Sequence, residues 1–384
     1  MENDRYELYT TRSLRELKDR LEIPMTVNER AILLVKIASN LARLTRTKEA
    51  RAVIKDIRTV NKASEPLLTS WIMYCEGLIH HFEAMQDYQA FDRFRRAYIF
   101  ASALKERELA SSCAAWIAKC EFVAGKYSSM HAHLVAAFSW ADECHGDARA
   151  RASVVIADAL NTCGQIDDAR KWYRIARNYA VAEGDISMQN VILFNTAAFA
   201  VGNLVLQDCF GEVVEKERWR AMMELNSAIN LDLSLGSQQL QTLAPILRAE
   251  LCTVEKKWDE AISIFEKNIE SSTKEGHMRQ QPKHLANCAW CYMGLNQATS
   301  AWRLAESAIS CVSQCHDPDD LAVIHIRVAR IALLCGMNEL GDKHSEIAFA
   351  KLEIFRAQQL ALSVDLKSTL AEIDSIEAKK KDPT

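Results

Sequence analysis

The sequence predicts an all-α protein built as a right-handed α-solenoid of about eight helix-turn-helix repeats. Three observations support this fold class. Only 12 glycines and 6 prolines occur in 384 residues, and helix-forming residues are abundant. No alternating β-branched runs bounded by turn residues indicate strands. Finally, turn-like positions recur with a spacing close to 40 residues. We therefore expect the hairpins to stack on one another, because a single hairpin cannot bury its own apolar stripe.

Residues 151–185 contain one complete repeat. The first helix ends at Gly164, which tolerates left-handed backbone angles. In the second helix an alanine, a tyrosine and an alanine follow at i, i+4 and i+7 and therefore share one face. The complete pattern consists of Ala157, Leu160, Gly164, Ala169, Tyr173 and Ala176.

The same turn position recurs along the chain. Its predicted equivalents are Thr45, Gln86, Gly125, Gly164, Lys216, Lys256, Asn296 and Gly336. The step from Gly164 to Lys216 is about a dozen residues too long. We therefore expect the first helix of that repeat to end near Gly202 and residues 203–216 to form an insertion. Such an apolar segment packs either on its own solenoid or on a partner, and both alternatives stay open.

The pattern in residues 157–176 resembles the tetratricopeptide repeat (TPR), and Ala249, Trp258, Ala261 and Phe265 repeat most of it. The period near 40, with units that end in Gly-Asp at 146–147 and 184–185, is similar to the longer variant of the bacterial maltotriose-responsive transcription activator. Related arrays form the peptide-binding bodies of bacterial quorum-peptide receptors. The resemblance covers residues 28–355 and implies a solenoid that binds a peptide or protein.

Both ends of the chain are predicted to be helical. Residues 1–25 form a cap or docking segment, whose helix begins near Ser13 because Ser13 and Glu16 have capping-box spacing. Thr26 and Glu29 repeat this spacing at the start of the solenoid, which spans residues 26–355. Residues 342–381 lack glycine and proline, so one long helix or two joined helices are expected there. We expect residues 356–384 to cap the last repeat and to end in a basic tail.

Composition excludes several classes of partner and location. A net charge of −4 without a basic stripe predicts no nucleic-acid partner. The first 20 residues lack an apolar signal core, and no run of about 18 apolar residues occurs, so a cytoplasmic protein without a membrane partner is expected. Twelve cysteines at mostly apolar helical positions are then reduced and buried.

No catalytic motif is found, and we predict neither an enzyme nor a cofactor. There is no phosphate-binding glycine loop, no HExxH and no nucleophile elbow. Cys288 and Cys291, followed by Cys311, Cys315 and His316, have spacing that zinc could use, but buried structural cysteine is the preferred interpretation. His80 and His81 point about 100° apart on a helix, so no metal site is predicted there.

The architecture therefore predicts binding. In TPR arrays the first helix of each hairpin lines the concave face, and a groove with both charge signs and an exposed indole suits a peptide or a partner helix. The predicted partner-binding residues are Glu76, His80, Glu83, Lys119, Arg151, Asp158, Asn161, Gln189, Glu250, Lys283, Trp290 and Arg330. We expect a non-catalytic interaction scaffold or regulatory subunit. Two alternatives stay open: a ligand or peptide sensor whose output domain is on a separate chain, and a structural subunit of a large assembly. Homo-oligomers and hetero-complexes both remain compatible with the sequence.

Overall fold

The chain folds as an all-α solenoid. The computed structural model describes residues 11–60, 65–84, 87–235, 242–274 and 276–381. Within these residues there are 17 α-helices, two short 3-10 turns and no strand. One N-terminal helix precedes eight hairpins, so the predicted fold class and number of repeats are confirmed. The chain divides into two compact units.

Unit 1 comprises residues 1–192 and 361–384. Its helices begin with α1 (Arg12–Arg20), α2 (Val27–Arg43), α3 (Thr47–Val60), α4 (Pro66–Ala84), α5 (Asp87–Ala103), α6 (Arg107–Val123), α7 (Tyr127–Trp140), α8 (Gly146–Thr162) and α9 (Ile166–Ala182). The first helices of its hairpins are α2, α4, α6 and α8. Their apolar faces meet those of the second helices in three clusters of buried residues.

Unit 2 comprises residues 193–360. Two long helices, α10 (Ile186–Phe210) and α17 (Asn338–Lys381), have residues in both units. The helices between them are α11 (Glu215–Leu235), α12 (Leu243–Val254), α13 (Trp258–Lys274), α14 (Gln281–Gly294), α15 (Ala298–Ser310) and α16 (Pro318–Leu334). The first helices of its hairpins are α10, α12, α14 and α16.

Residues with a left-handed backbone conformation end the first helix of most hairpins, as the repeat pattern predicts. Six predicted turn positions have positive φ: Thr45, Gly125, Gly164, Lys256, Asn296 and Gly336. In each turn the next amide N–H donates to a carbonyl five residues earlier, for example Gln165 to Leu160 at 2.9 Å. Gln86 lies outside the described residues. The prediction for Lys216 is wrong, because this residue belongs to the first turn of α11.

The N-cap of the N-terminal helix lies two residues before the predicted cap. Thr11, not Ser13, is the N-cap, and its hydroxyl accepts from the amide of Leu14 at 3.2 Å. Leu14 is fully buried in the core of unit 1, so α1 is a packed element. At α2 the predicted capping box is present, since Thr26 and Glu29 each bond the other's backbone amide.

The expected insertion is mostly helix. Helix α10 continues past Gly202 to Phe210, which corrects the predicted helix end, and the turn before α11 takes only four residues. Leu204, Val205 and Cys209 are buried in the core of unit 2. Residues 203–210 thus pack on their own solenoid, the first of the two alternatives.

Helix α10 is also long and apolar enough to span a membrane by length and composition alone. The expectation from the sequence did not anticipate this result. Buried side chains follow the helix along its whole length, from Met188 through Ala197 to Cys209, and they pack in the cores of the two units. Burial accounts for 33% of the apolar stretch, and those buried residues are unavailable to lipid.

The C-terminal segment is one unbroken helix, α17, of 44 residues. Its last part does not cap the last repeat as expected. Leu362, Leu366 and Ile373 are buried in unit 1 in one cluster with residues of α7 and α8. Arg149 of α8 forms a bidentate ion pair with Glu377 at 2.7 and 3.0 Å. The end of α17 therefore covers the middle of the chain.

Candidate functional site

Two predicted residues of unit 2 form a buried ionic cluster. Lys283 on α14 lies 3.3 Å from Glu250 on α12 and 3.0 Å from Asp320 on α16, so it joins three successive first helices. Asn287 adds a hydrogen bond to Glu250 at 3.4 Å. Burial raises the pKa of Glu250, and Lys283 offsets part of this shift. The single ammonium of Lys283 therefore contacts two carboxylates.

The other two predicted residues of unit 2, Trp290 and Arg330, contact each other. The indole was expected to be exposed, but Trp290 is half-buried, with the guanidinium carbons of Arg327 and Arg330 5.2 and 5.9 Å from its ring centre. Arg330 donates to the carbonyls of Asp208 and Cys209 at the end of α10. Arg327, fully buried, lies 2.5 Å from the carboxylate of Asp208. This end of α10 is thus fixed by arginines of α16.

Three predicted residues of unit 1 share one hydrogen-bonded group. Asp158 on α8 is 1% exposed and accepts from the Tyr173 hydroxyl at 2.6 Å. Lys119 on α6 lies 3.3 Å from the same carboxylate. Asn161 donates to the Tyr173 oxygen at 3.4 Å. The tyrosine of the repeat pattern therefore has a polar role in addition to filling space.

Arg151 stacks on an aromatic ring. Its guanidinium lies 4.1 Å from the ring centre of Trp116, and burial lowers the pKa of Arg151 to about 10. Gln189 is half-buried one turn after Asp185, at the start of α10. Both residues lie beside the cavity described below.

The remaining predicted residues, Glu76, His80 and Glu83, lie on α4 near the second-helix layer. Glu76 pairs with Arg58 of α3 at 2.7 Å, and Glu83 forms a bidentate pair with Arg51 of the same helix. These contacts correct the predicted orientation, because α3 is a second helix. Burial and Arg51 lower the pKa of His80.

The sequence analysis missed a polar cavity between the first helices of unit 1. This inner cavity has a volume of about 230 Å³. Its lining residues are Ser13, Glu16, Leu17, Arg20, Lys36, Ser39, Asn40, Arg43, Trp71, Tyr74, Glu108, Cys144, His145, Asp147, Glu183 and Asp185. Helix α1 contributes four of them, so the N-terminal segment forms part of the wall.

Arg43 lies at the centre of the acidic side of the inner cavity. Its guanidinium is 3.1 Å from Asp185 and 3.7 Å from Asp147, and it donates to the amide oxygen of Asn40 at 3.0 Å. Asp185 also caps α10, because it accepts from the amide of Met188 at 2.9 Å. The backbone therefore fixes the position of this carboxylate.

A second ion pair and two aromatic rings also line the cavity. The Lys36 ammonium lies 2.6 Å from the Glu108 carboxylate and 4.7 Å from the ring centre of Trp71. Trp71 packs edge-on against Tyr74, with ring centres 5.9 Å apart. The cavity thus combines an aromatic wall with charges of both signs.

Burial and neighbouring charges shift the pKa values of the groups on the acidic side of the cavity. It raises the pKa values of Asp147 and Glu183, and in Glu183 the Asp147 charge adds to the effect. Burial alone would lower the pKa of Arg43, but the charges of Asp185 and Asp147 outweigh it and raise it. A nearby positive charge would therefore stabilise these carboxylates.

One signal in the sequence could have indicated this cavity. In the repeat pattern the Gly-Asp pairs at 146–147 and 184–185 mark the ends of units. They place Asp147 and Asp185 at the starts of α8 and α10, where both aspartates face Arg43. The long-range approach of α2 to these helix starts is a tertiary feature that a repeat pattern does not encode.

The cysteines differ from a metal-binding arrangement. Eight of the twelve are buried, among them Cys288 and Cys291, and all twelve are free. Burial raises the pKa of Cys291 to about 11. Across the described residues no group of three His, Cys, Asp or Glu side chains has a geometry that could hold a metal ion.

Comparisons with known proteins identify the fold. No family model and no curated protein matches the sequence. A solved structure of a Rap protein complexed with competence and sporulation factor is similar, with a TM-score of 0.58 and 13% identity. The match covers 93% of this chain and 97% of that chain, and at this identity it concerns the fold alone. The chain is a TPR-like helical repeat protein in fold.

Proposed function

We propose that this protein is a non-catalytic scaffold or regulatory subunit that binds a partner protein or peptide through the first helices of its hairpins. The inner cavity of unit 1 is the proposed main contact. It is the observation that carries the proposal, because it presents charged and aromatic side chains of four successive first helices to one space. We further propose that the protein acts in the cytoplasm.

The fold supports this proposal. The similar Rap protein was solved in complex with competence and sporulation factor, and a groove lined by helices suits an extended peptide or a partner helix. The ionic groups around Lys283 and Lys119 stiffen the first helices from within, because each pair joins neighbouring hairpins. A preformed surface loses less entropy on binding than a flexible one. The relationship to the maltotriose-responsive activator stays a prediction from the repeat length.

A sensor is the second candidate. The inner cavity is small and polar, so a small ligand that entered it would contact α1 and α2 together with the start of α10. Ligand binding could then shift an equilibrium between two arrangements of these helices. The output would belong to another chain. A structural subunit of a large assembly is the third possibility from the sequence, and no described side-chain cluster favours it specifically.

Affinity capture tests the proposed function. The tagged full chain is purified from its native cells, and co-purifying proteins are identified and quantified by mass spectrometry. The scaffold hypothesis predicts one partner in near-stoichiometric amount. If the chain purifies alone, the scaffold hypothesis is rejected. A rise in melting temperature with small molecules from a cell extract would then favour the sensor.

A further inference from the structure

The size of the inner cavity limits what it can hold. Typical pockets for small ligands have volumes of about 300 to 1,000 Å³. At about 230 Å³ the inner cavity is smaller, so it can take one side chain or one chain end of a larger ligand. A peptide bound along the first helices would therefore use this cavity for a single anchoring group.

The charge of the lining indicates the sign of that group. Five carboxylates and three basic groups line the cavity, which leaves an excess of two negative charges. The imbalance is concentrated on one side, where Asp147, Glu183 and Asp185 surround Arg43. Glu183 packs over the start of α8, since a Cβ on Gly146 would lie 2.5 Å from its carboxylate oxygen. One guanidinium faces three acids.

A buried oxygen on this side has capacity for a further donor. The side chain of Asp185 is more than nine-tenths buried and lines the cavity. Its Oδ1 caps α10, whereas Oδ2 accepts no hydrogen bond within the described part of the chain and has only the ion-pair contact with Arg43 at 3.1 Å. A carboxylate oxygen in a partly filled polar cavity is an expected site for an N–H donor.

The protein itself already places positive charge in the wall of the cavity. Helix α1 carries four basic and two acidic residues, and it supplies Arg20 to the lining. Arg12 donates to the carbonyls of Val181 and Ala182, just before Glu183. The rings of Trp71 and Tyr74 form the neighbouring wall, and aromatic rings bind cations through their faces.

We propose that the inner cavity binds a cationic anchor of the partner, either the free amino terminus of a peptide or a lysine or arginine side chain. This inference rests on the proposed function and specifies which chemical group of the partner is recognised. Asp185 and Glu183 are the expected acceptors, with Asp147 contributing charge.

Cys144 provides a local reporter for the test. It lines the cavity and is exposed, whereas the other eleven cysteines are buried or half-buried. The rate at which a fluorescent maleimide labels Cys144 in the full chain is measured with four probes. L-Argininamide carries both cations, N-acetylargininamide only the side-chain cation and citrullinamide only the amino-terminal cation. N-Acetylcitrullinamide is the neutral control.

The proposal predicts that argininamide slows labelling by about threefold or more near saturation and raises the melting temperature. Whichever singly charged probe retains protection identifies the source of the cation. Asp185→Asn and Glu183→Gln should each weaken protection by about tenfold in probe affinity, because they remove charge and keep shape. Asparagine preserves the helix cap at position 185. Asp167→Asn, at a side chain that is 93% exposed on α9, is the matched control and should bind like the wild type.

Unchanged labelling and melting temperature with all charged probes overturn the proposal, and so does equal protection by the neutral probe. Partner capture is scored with the same variants. If Asp185→Asn captures the partner normally and no probe protects Cys144, the cationic anchor is wrong and the proposed function stands. If the wild type captures no partner, the proposed function itself fails.

Discussion

At the scale of single residues, several buried polar groups of this protein are paired, either within one hairpin or across neighbouring hairpins. Asp158 with Tyr173 and Lys283 with Glu250 are two examples. Breaking such a pair costs far more than breaking an exposed one, because the remaining group stays desolvated. Exposed pairs within one helix, such as Lys171 with Asp168, contribute little to stability.

Replacing Tyr173 with phenylalanine tests the role of the repeat tyrosine. The change removes the hydroxyl that donates to Asp158, so we expect the free energy of unfolding to fall by about 1 to 3 kcal/mol in urea denaturation. Tyr88→Phe, at a side chain that is 84% exposed, is the control and should change stability by less than about 0.5 kcal/mol. Equal effects of the two changes would contradict a polar role for Tyr173.

The buried pair of histidines in unit 2 predicts a dependence of stability on pH. The Nδ1 atoms of His325 and His344 lie 2.9 Å apart, and burial lowers the pKa of His325 from 6.5 to about 4, with His344 and Lys351 adding to the shift. The unfolded state therefore binds more protons between these values. Stability should be fully present above pH 6.5 and decrease as the pH falls towards 4.

His325→Leu should reduce this decrease in urea denaturation experiments across pH 4 to 7. The exposed His316 offers the matched control, and His316→Gln should leave the pH profile unchanged. A wild-type profile that is flat from pH 6.5 to 4 would contradict the assignment.

The residue scale also shows how far the candidate site could be predicted. Lys119, Asp158, Glu250 and Lys283 lie on first helices, as the helical register predicts, and their role in partner binding stays a prediction. The register could not show that they pair with one another, because the partners are 39 and 33 residues apart in sequence. For the same reason Arg43 was not selected: its partners, Asp147 and Asp185, come from much later hairpins.

At the scale of helices, the two terminal elements stabilise unit 1. Helix α1 inserts Leu14 into the core, and the end of α17 packs on α7 and α8. Lys380 donates to the carbonyls of Phe138 and Ala141 at the end of α7. These contacts satisfy backbone acceptors that a helix end leaves open.

Two leucines of α17 test whether the end of this helix packs on unit 1, because both substitutions change helix propensity equally and only one removes a buried side chain. Leu366 is 1% exposed in unit 1, whereas Leu360 is 72% exposed on the same helix. Leu366→Ala should lower the free energy of unfolding by about 2 to 5 kcal/mol and speed hydrogen exchange in α7. Leu360→Ala should be nearly neutral. Equal and small effects in both would show that the end of α17 is not docked in solution.

Two glycines test the packing of α1. Gly184 has a φ of +66°, and a Cβ there would lie 2.8 Å from the Cβ of Arg12. Gly164 has a φ of +74°, and nothing lies within 4 Å of its added Cβ. Gly164→Ala should therefore cost only the left-handed strain, about 1 to 2 kcal/mol. Gly184→Ala should cost more and expose α1 to protease, which is measured by limited proteolysis. Equal proteolysis of the two variants would contradict this packing.

The helices themselves could largely be predicted from sequence, and the exceptions have a physical cause. Glycine at position 202 suggested a helix end, but Leu204, Val205 and Cys209 continue the apolar face of α10 and bury themselves in unit 2. Tertiary packing outweighs the cost of about 1 kcal/mol for a glycine inside a helix. The destination of the end of α17 could not be predicted, since nothing local specifies a contact with residues more than 200 positions away.

At the scale of the whole molecule, a period near 40 residues determined the fold class, because stacked hairpins are the only way to bury this repeated apolar pattern. The repeat pattern did not reveal the division into two units or the inner cavity of unit 1. We propose that ion pairs between neighbouring first helices stiffen each unit and that the inner cavity of unit 1 receives the partner.

Site-specific photo-crosslinking in native cells tests this central claim most directly. A photoreactive phenylalanine analogue is placed in the full chain at Glu16, an exposed residue that lines the inner cavity, and separately at Lys171, an exposed residue on the second helix α9. We predict one crosslinked partner from position 16 and no such product from position 171. Equal crosslinking from both positions, or crosslinking from position 171 alone, would contradict binding at the inner cavity.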